Sequence, residues 1–135
     1  MGSCSMRTMS DPWLEEAALN LRAASAMARD GRLFGLACFH SHQAAEKALK
    51  AYLIHHGRGL LRIHDIEYLV LLCVREDRRF RTLIPEGIYL NPFYIEINYP
   101  ILDPVRISPR VRRRALTAAR KISRFVETRL SGASR

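Results

Sequence analysis

The segment from Leu33 to His56 constrains the fold more than any other part of the chain. Cys38, Ser41, Ala45, Ala48 and Tyr52 recur at helical spacing along it, and Phe34, Ala37, Ala44 and Leu49 widen the stripe. Gly57 follows as a C-terminal stop. Small residues fill the middle of the stripe, so a neighbouring helix can approach closely. At 1.5 Å per residue such a helix is ~35 Å long, enough to cross a small domain. It belongs at the centre of a helical bundle.

The flanking segments supply the other helices. Asp11-Pro12 reads as a capped helix start, and Leu14, Ala17, Ala18, Leu21, Ala24 and Ala28 continue it until Asp30-Gly31 stops it. Asp65 is placed to cap a third helix carrying Ile66, Leu69, Val70, Leu72 and Cys73. Arg75 to Arg81 mixes both charge signs and reads as solvated surface, and Pro85-Glu86-Gly87 as a turn. Residues 88–109 contain four prolines, so no long helix crosses them. A short helix ending near Tyr99 is expected there, with a strand through Ile95, Ile97 and Tyr99 as the alternative. Ser108-Pro109 opens a final helix with Val111, Ala115, Ala118, Ala119, Ile122, Phe125, Val126 and Leu130 on its apolar face. The fold class is therefore all-α, an up-and-down helical bundle of four to five helices. With 135 residues in all, residues 11–131 form one domain and residues 1–10 a loose, disordered tail.

Composition narrows the function classes. The chain is 48% hydrophobic and 26% charged, which suits a globular protein, and no apolar run approaches the length of a membrane span. No secretory leader is recognisable. Cys4, Cys38 and Cys73 are an odd, sparse set without a CxxC, so no disulfide framework is expected and a reducing cytoplasm fits best. The net charge is +9, and residues 91–135 hold ten basic against three acidic side chains. Such a field attracts nucleic acid or another polyanion, although an acidic protein would serve equally well.

Local chemistry is sparse. Cys38 and His42 are four residues apart, a two-ligand spacing, but no second pair accompanies them, and neither a metal nor another cofactor is expected. There is no GxSxG and no glycine-rich phosphate loop. Glu46 and Lys50 form an i,i+4 pair that reads as a surface salt bridge, worth roughly tenths of a kcal/mol. Arg58 and His64 are spaced to polarise a phosphate and move a proton, or else are a solvated arginine and a helix-start histidine. The charged face of the final helix carries Arg110, Arg112, Arg113, Arg114, Arg120, Lys121, Arg124 and Arg129. Arg110, Arg113, Arg114, Lys121 and Arg124 lie nearer one side with Arg120 adjoining, either a phosphate-binding face or the solvated side of an amphipathic helix.

The run Ala37-Cys38-Phe39-His40-Ser41-His42-Gln43-Ala44-Ala45-Glu46-Lys47-Ala48-Leu49-Lys50-Ala51 closely resembles the core signature of HEPN domains. Trp13 with the Ala-rich first helix resembles that family's opening, and His64-Asp65-Ile66 with Leu69 its His-Asp-Leu-x-x-Leu element. Leu90-Asn91, Tyr94-Ile95 and Tyr99-Pro100 resemble its aromatic segment, and the last helix its closing helix. The resemblance spans residues 12–130. It implies a helical bundle, commonly a homodimer, often encoded beside a minimal nucleotidyltransferase, and sometimes one half of a toxin–antitoxin pair. Some members are metal-independent ribonucleases that use an Arg, four to six residues, then a His. Arg58 and His64 satisfy that count. Where the family has Arg-Tyr-Pro, this chain has Asn98-Tyr99-Pro100, and no His follows.

The resulting expectation is a non-catalytic, dimeric partner of a nucleotidyltransferase that binds nucleotide or RNA in a polar cleft. The alternative is a ribonuclease toxin with Arg58 and His64 as its catalytic pair. The expected binding residues are His42, Lys47, His64, Asp65, Tyr94, Asn98, Tyr99, Arg113, Arg114, Lys121 and Arg124. Tyr89, Phe93 and Tyr94, in an irregular segment, are expected to leave apolar surface for a second copy to cover.

Overall fold

A computed structural model describes the backbone of residues 2–59, 62–94 and 107–132, and within these the side chains from Pro12 onward. It contains α1 (Gly2–Ala26), α2 (Phe34–His55), α3 (Ile66–Glu76), α4 (Ile84–Leu90) and α5 (Pro109–Gly132). The backbone is helical again at 92–94. Among the described residues there is no strand, so the all-α expectation holds. The strand considered for Ile95–Tyr99, and the end of a short helix near Tyr99, lie outside the described residues.

Helix α2 is the central element. It packs along α1 on one side and α5 on another, with α3 also against it. It buries Ala37, Cys38, Ser41, His42, Ala44, Ala45 and Glu46, then every residue from Ala48 to Leu53. A helix enclosed almost all round needs small side chains where its neighbours cross, and its five buried alanines supply them. Gly57 ends it in the left-handed conformation at φ 82°, which lets Gly57 and Arg58 donate back to the carbonyls of Ile54 and Leu53.

The other ends follow local chemistry. Asp65 caps α3, its Oδ1 accepting from the Tyr68 amide at 3.0 Å. Ser108 caps α5, its Oγ accepting from Val111 N at 3.2 Å. Asp77 caps the 3₁₀ turn Arg78–Leu83 through the Arg79 amide.

Three expectations change. Helix α1 begins at Gly2 rather than Asp11 and carries Pro12 inside it, because a proline's fixed φ is itself helical and one missing amide need not end a helix. Pro85-Glu86-Gly87 is no turn but the first turn of α4, where a proline's missing N–H has no partner to lose. Phe93 is buried and Tyr89 packs its ring edge on it at 5.9 Å, so these two aromatics belong to the core, not to an open patch. Among the described residues, the large apolar side chains that do stay exposed are Leu19, Leu36, Tyr68, Leu71 and Ile88.

Gly87 brings α4 onto α3. A Cβ there would lie 3.2 Å from both the Cα and the amide nitrogen of Glu67, backbone atoms that cannot swing aside. Gly87→Ala gains about 1 kcal/mol of helix propensity. The overpacking costs about 1–3 kcal/mol. A net loss near 1 kcal/mol is expected in urea denaturation, and a gain would show that the two helices separate freely.

Candidate functional site

Along one face of α2 stand His42, Glu46 and Lys50, four residues apart and all buried. Lys50 Nζ donates to Glu46 Oε2 at 2.9 Å, with the two side chains only 5% and 6% exposed. This corrects the surface reading of the pair. In water it would contribute little, but here each charge depends on the other for compensation. Lys50 Nζ also lies 5.9 Å from the Trp13 ring centre on α1.

His64 completes the group from the segment before α3. Its Nδ1 donates to both Glu46 oxygens, at 3.0 and 3.2 Å. The ring lies flat on Tyr94, centroids 4.4 Å apart and planes 9° apart. His42 Nε2 donates to the His64 carbonyl at 2.9 Å, and the His42 ring is 5.5 Å from Tyr94. Burial drives the His42 pKa down, against the opposing pull of the Glu46 charge. Its Nδ1 finds no hydrogen-bond partner among the described residues and sits 3.9 Å from Glu46 Oε1. The structure thus brings His42, His64 and Tyr94 together and adds Glu46 and Lys50, which sequence reasoning missed.

The remaining expected residues are elsewhere. Asp65 is occupied as a cap and also accepts from Asn91 Nδ2 at 2.9 Å, while Asn91 Oδ1 takes the Ile66 amide at 2.6 Å. Lys47 ties α2 to α1, bonding Glu16 at 2.8 Å and Asn20 at 3.0 Å. Arg58 donates to Glu76 Oε2 at 3.0 and 3.2 Å. The spacing that suggested an Arg58–His64 pair therefore joins two residues committed to different carboxylates. Asn98 and Tyr99 lie outside the described residues.

The basic residues of α5 differ in what they meet, and Arg129 lies 3.6 Å from Asp77. Buried Glu86 of α4 holds Arg114 at 2.8 Å and Lys121 at 3.1 Å, so these two serve the α4–α5 contact. Arg112, placed on the charged face by sequence, is buried with its guanidinium 5.3 Å from the Phe34 ring centre. Arg110, Arg113, Arg120 and Arg124 are exposed, and among the described residues none pairs with a carboxylate. At 100° per residue these four fall on one side of α5 and span ~21 Å of its axis. Arg120 and Arg124 line an open groove of about 510 Å³ with Thr117, Lys121, Phe125, Thr128 and Arg129. Of the expected binding residues on α5, Arg113 and Arg124 are thus exposed and without a carboxylate among the described residues, as are Arg110 and Arg120, whereas Arg114 and Lys121 are engaged by Glu86.

The chain is thus a helical bundle whose central helix carries a buried polar line that meets one half-exposed histidine. The HEPN domain family matches residues 10–129, and the chain belongs to that family. TT1696 from Thermus thermophilus has a similar crystal structure, with 31% sequence identity and a TM-score of 0.75 over 88% of this chain and 96% of that one. ST0689, described as an archaeal HEPN homologue, is similar in fold at 23% identity and a TM-score of 0.69, over 90% of this chain and 97% of that one. No curated protein matches the chain. Among the described residues, no helix is long and apolar enough to cross a membrane.

Proposed function

We propose that this HEPN protein is a cytoplasmic, non-catalytic, dimeric partner of a minimal nucleotidyltransferase and binds nucleotide or RNA. The observation that carries the binding is the row of four exposed arginines on α5 with no carboxylate of their own among the described residues. Unpaired guanidiniums at helical spacing gain most from a chain of phosphates, because each contact releases condensed counterions. The dimer and the nucleotidyltransferase partner follow from the family resemblance, and exposed Tyr68, Leu71 and Ile88 on α3 and α4 offer apolar surface for such contacts. The non-catalytic reading rests on Arg58, whose guanidinium is held by Glu76, while His64 is held by Glu46.

Fluorescence anisotropy with labelled single-stranded RNA over a range of salt concentrations tests the reading. Binding should weaken as salt rises. Replacing Arg110, Arg113, Arg120 and Arg124 with Gln should lower affinity and flatten the log–log salt slope by about 3, close to 0.7 per lost phosphate contact. Unchanged affinity in that variant would reduce the charge to a solubility role. The RNA should also remain intact without metal, and cleavage abolished by His64→Ala would overturn the non-catalytic reading.

A further inference from the structure

His64 is restrained more than a half-exposed side chain needs to be for packing. Its side chain is 47% exposed, yet it is fixed at three points. Nδ1 is held by the Glu46 carboxylate, the ring face by Tyr94, and the backbone carbonyl by His42 Nε2. Glu46 is itself held from its other oxygen by Lys50. Ordering a partly solvated ring in this way costs conformational entropy. The only polar atom of the ring that none of these contacts uses is Nε2.

The tautomer follows from the partners. A carboxylate accepts and cannot donate, so Nδ1 carries the proton. In the neutral ring Nε2 then presents a lone pair, fixed in direction by the three restraints. In that tautomer the atom accepts a hydrogen bond rather than donating one. Glu46 on the far side of the ring is matched by Lys50, and among the described residues the arginines without a carboxylate lie on α5, not here.

We propose that His64 Nε2 is the acceptor of a nucleoside-recognising subsite, taking a hydrogen bond from a ribose hydroxyl or a base amino group. The proposal rests on the nucleotide-binding reading above and divides the work. The α5 arginines take phosphate, and the His64 edge takes the uncharged donor groups of the nucleoside. Glu46, Lys50 and His42 are positioning residues that fix the tautomer and aim of the ring.

The test uses protein labelled with ¹⁵N in its histidines. In the free protein, long-range ¹H–¹⁵N spectra should show His64 protonated on Nδ1 and bare on Nε2. Adenosine, 2′,3′-dideoxyadenosine and inorganic phosphate are then added separately, with affinity measured by calorimetry. Adenosine should move the Nε2 resonance, and phosphate should not. Loss of the shift with the dideoxy compound assigns the donor to the 2′- or 3′-hydroxyl, and its retention assigns the donor to the base or the 5′-hydroxyl. His64→Phe keeps a ring for Tyr94 but removes the acceptor, and should weaken adenosine about tenfold, the effect of one lost hydrogen bond. Adenosine binding that leaves Nε2 unmoved, or that His64→Phe does not weaken, overturns the subsite. A shift caused by phosphate overturns it too. If RNA binds through α5 and adenosine does not bind at all, the subsite falls while the RNA reading stands. If neither binds, both fall.

Discussion

Glu46→Ala should cost about 3–5 kcal/mol, the loss that follows when one partner of a buried ion pair is removed and the other charge stays inside. The reason lies in what remains. Lys50 is 5% exposed and donates to Glu46, and the His64 ring takes its position from the same carboxylate. Small domains have only about 5–15 kcal/mol in total, so the variant should unfold at much lower urea. A Glu46→Leu, Lys50→Met double variant separates charge from volume. It removes both ions and fills the space, and should recover most of the loss. His64 should become mobile in that double variant even though the fold is restored. A single Glu46→Ala variant that denatures within about 1 kcal/mol of wild type would mean that water reaches Lys50.

Phe80→Ala should be similarly damaging, by about 3–5 kcal/mol. Phe80 is fully buried in the 3₁₀ turn Arg78–Leu83. Its ring meets Tyr52 of α2 at 4.5 Å and Phe125 of α5 edge-on at 4.8 Å. Truncation leaves a cavity between two long helices that pack along each other and cannot easily collapse into it. Phe80→Leu should recover roughly half, since most of the volume returns without the ring contacts. The readout is the urea midpoint at constant slope, and a loss below about 1 kcal/mol would show that the site closes by repacking.

The periodicity of α2 and α5, and the caps at Asp65 and Ser108, are legible in the sequence because each depends on residues close along the chain. The Glu46–Lys50 pair reads wrongly as surface because an i,i+4 ion pair looks the same on any helix. The stripe of Cys38, Ser41, Ala45, Ala48 and Tyr52, widened by Phe34, Ala37, Ala44 and Leu49, covers about 140° of the helix, and Glu46 and Lys50 fall beyond its edge, so spacing alone does not place the pair inside. The division among the α5 cations is not readable in this way either. Arg114 and Lys121 are claimed by Glu86, a residue on another helix that reads locally as part of a turn. Arg58 and His64 illustrate the opposite error, in which spacing suggests a partnership but long-range carboxylates decide where each side chain goes.

The seat of α5 against α2 has a consequence for how the chain is made. Helices α1 and α2 adjoin in sequence and close on each other through a short connection, so they can pair as soon as both have left the ribosome. The flank of α2 that α5 covers has no occupant until Pro109–Gly132 has been synthesised. Bringing α5 back closes a long loop, at an entropic cost that grows with the logarithm of its length. Until then the nascent hairpin carries an alanine-lined, greasy side open to other chains. The closing helix is therefore what turns an adhesive intermediate into a finished domain.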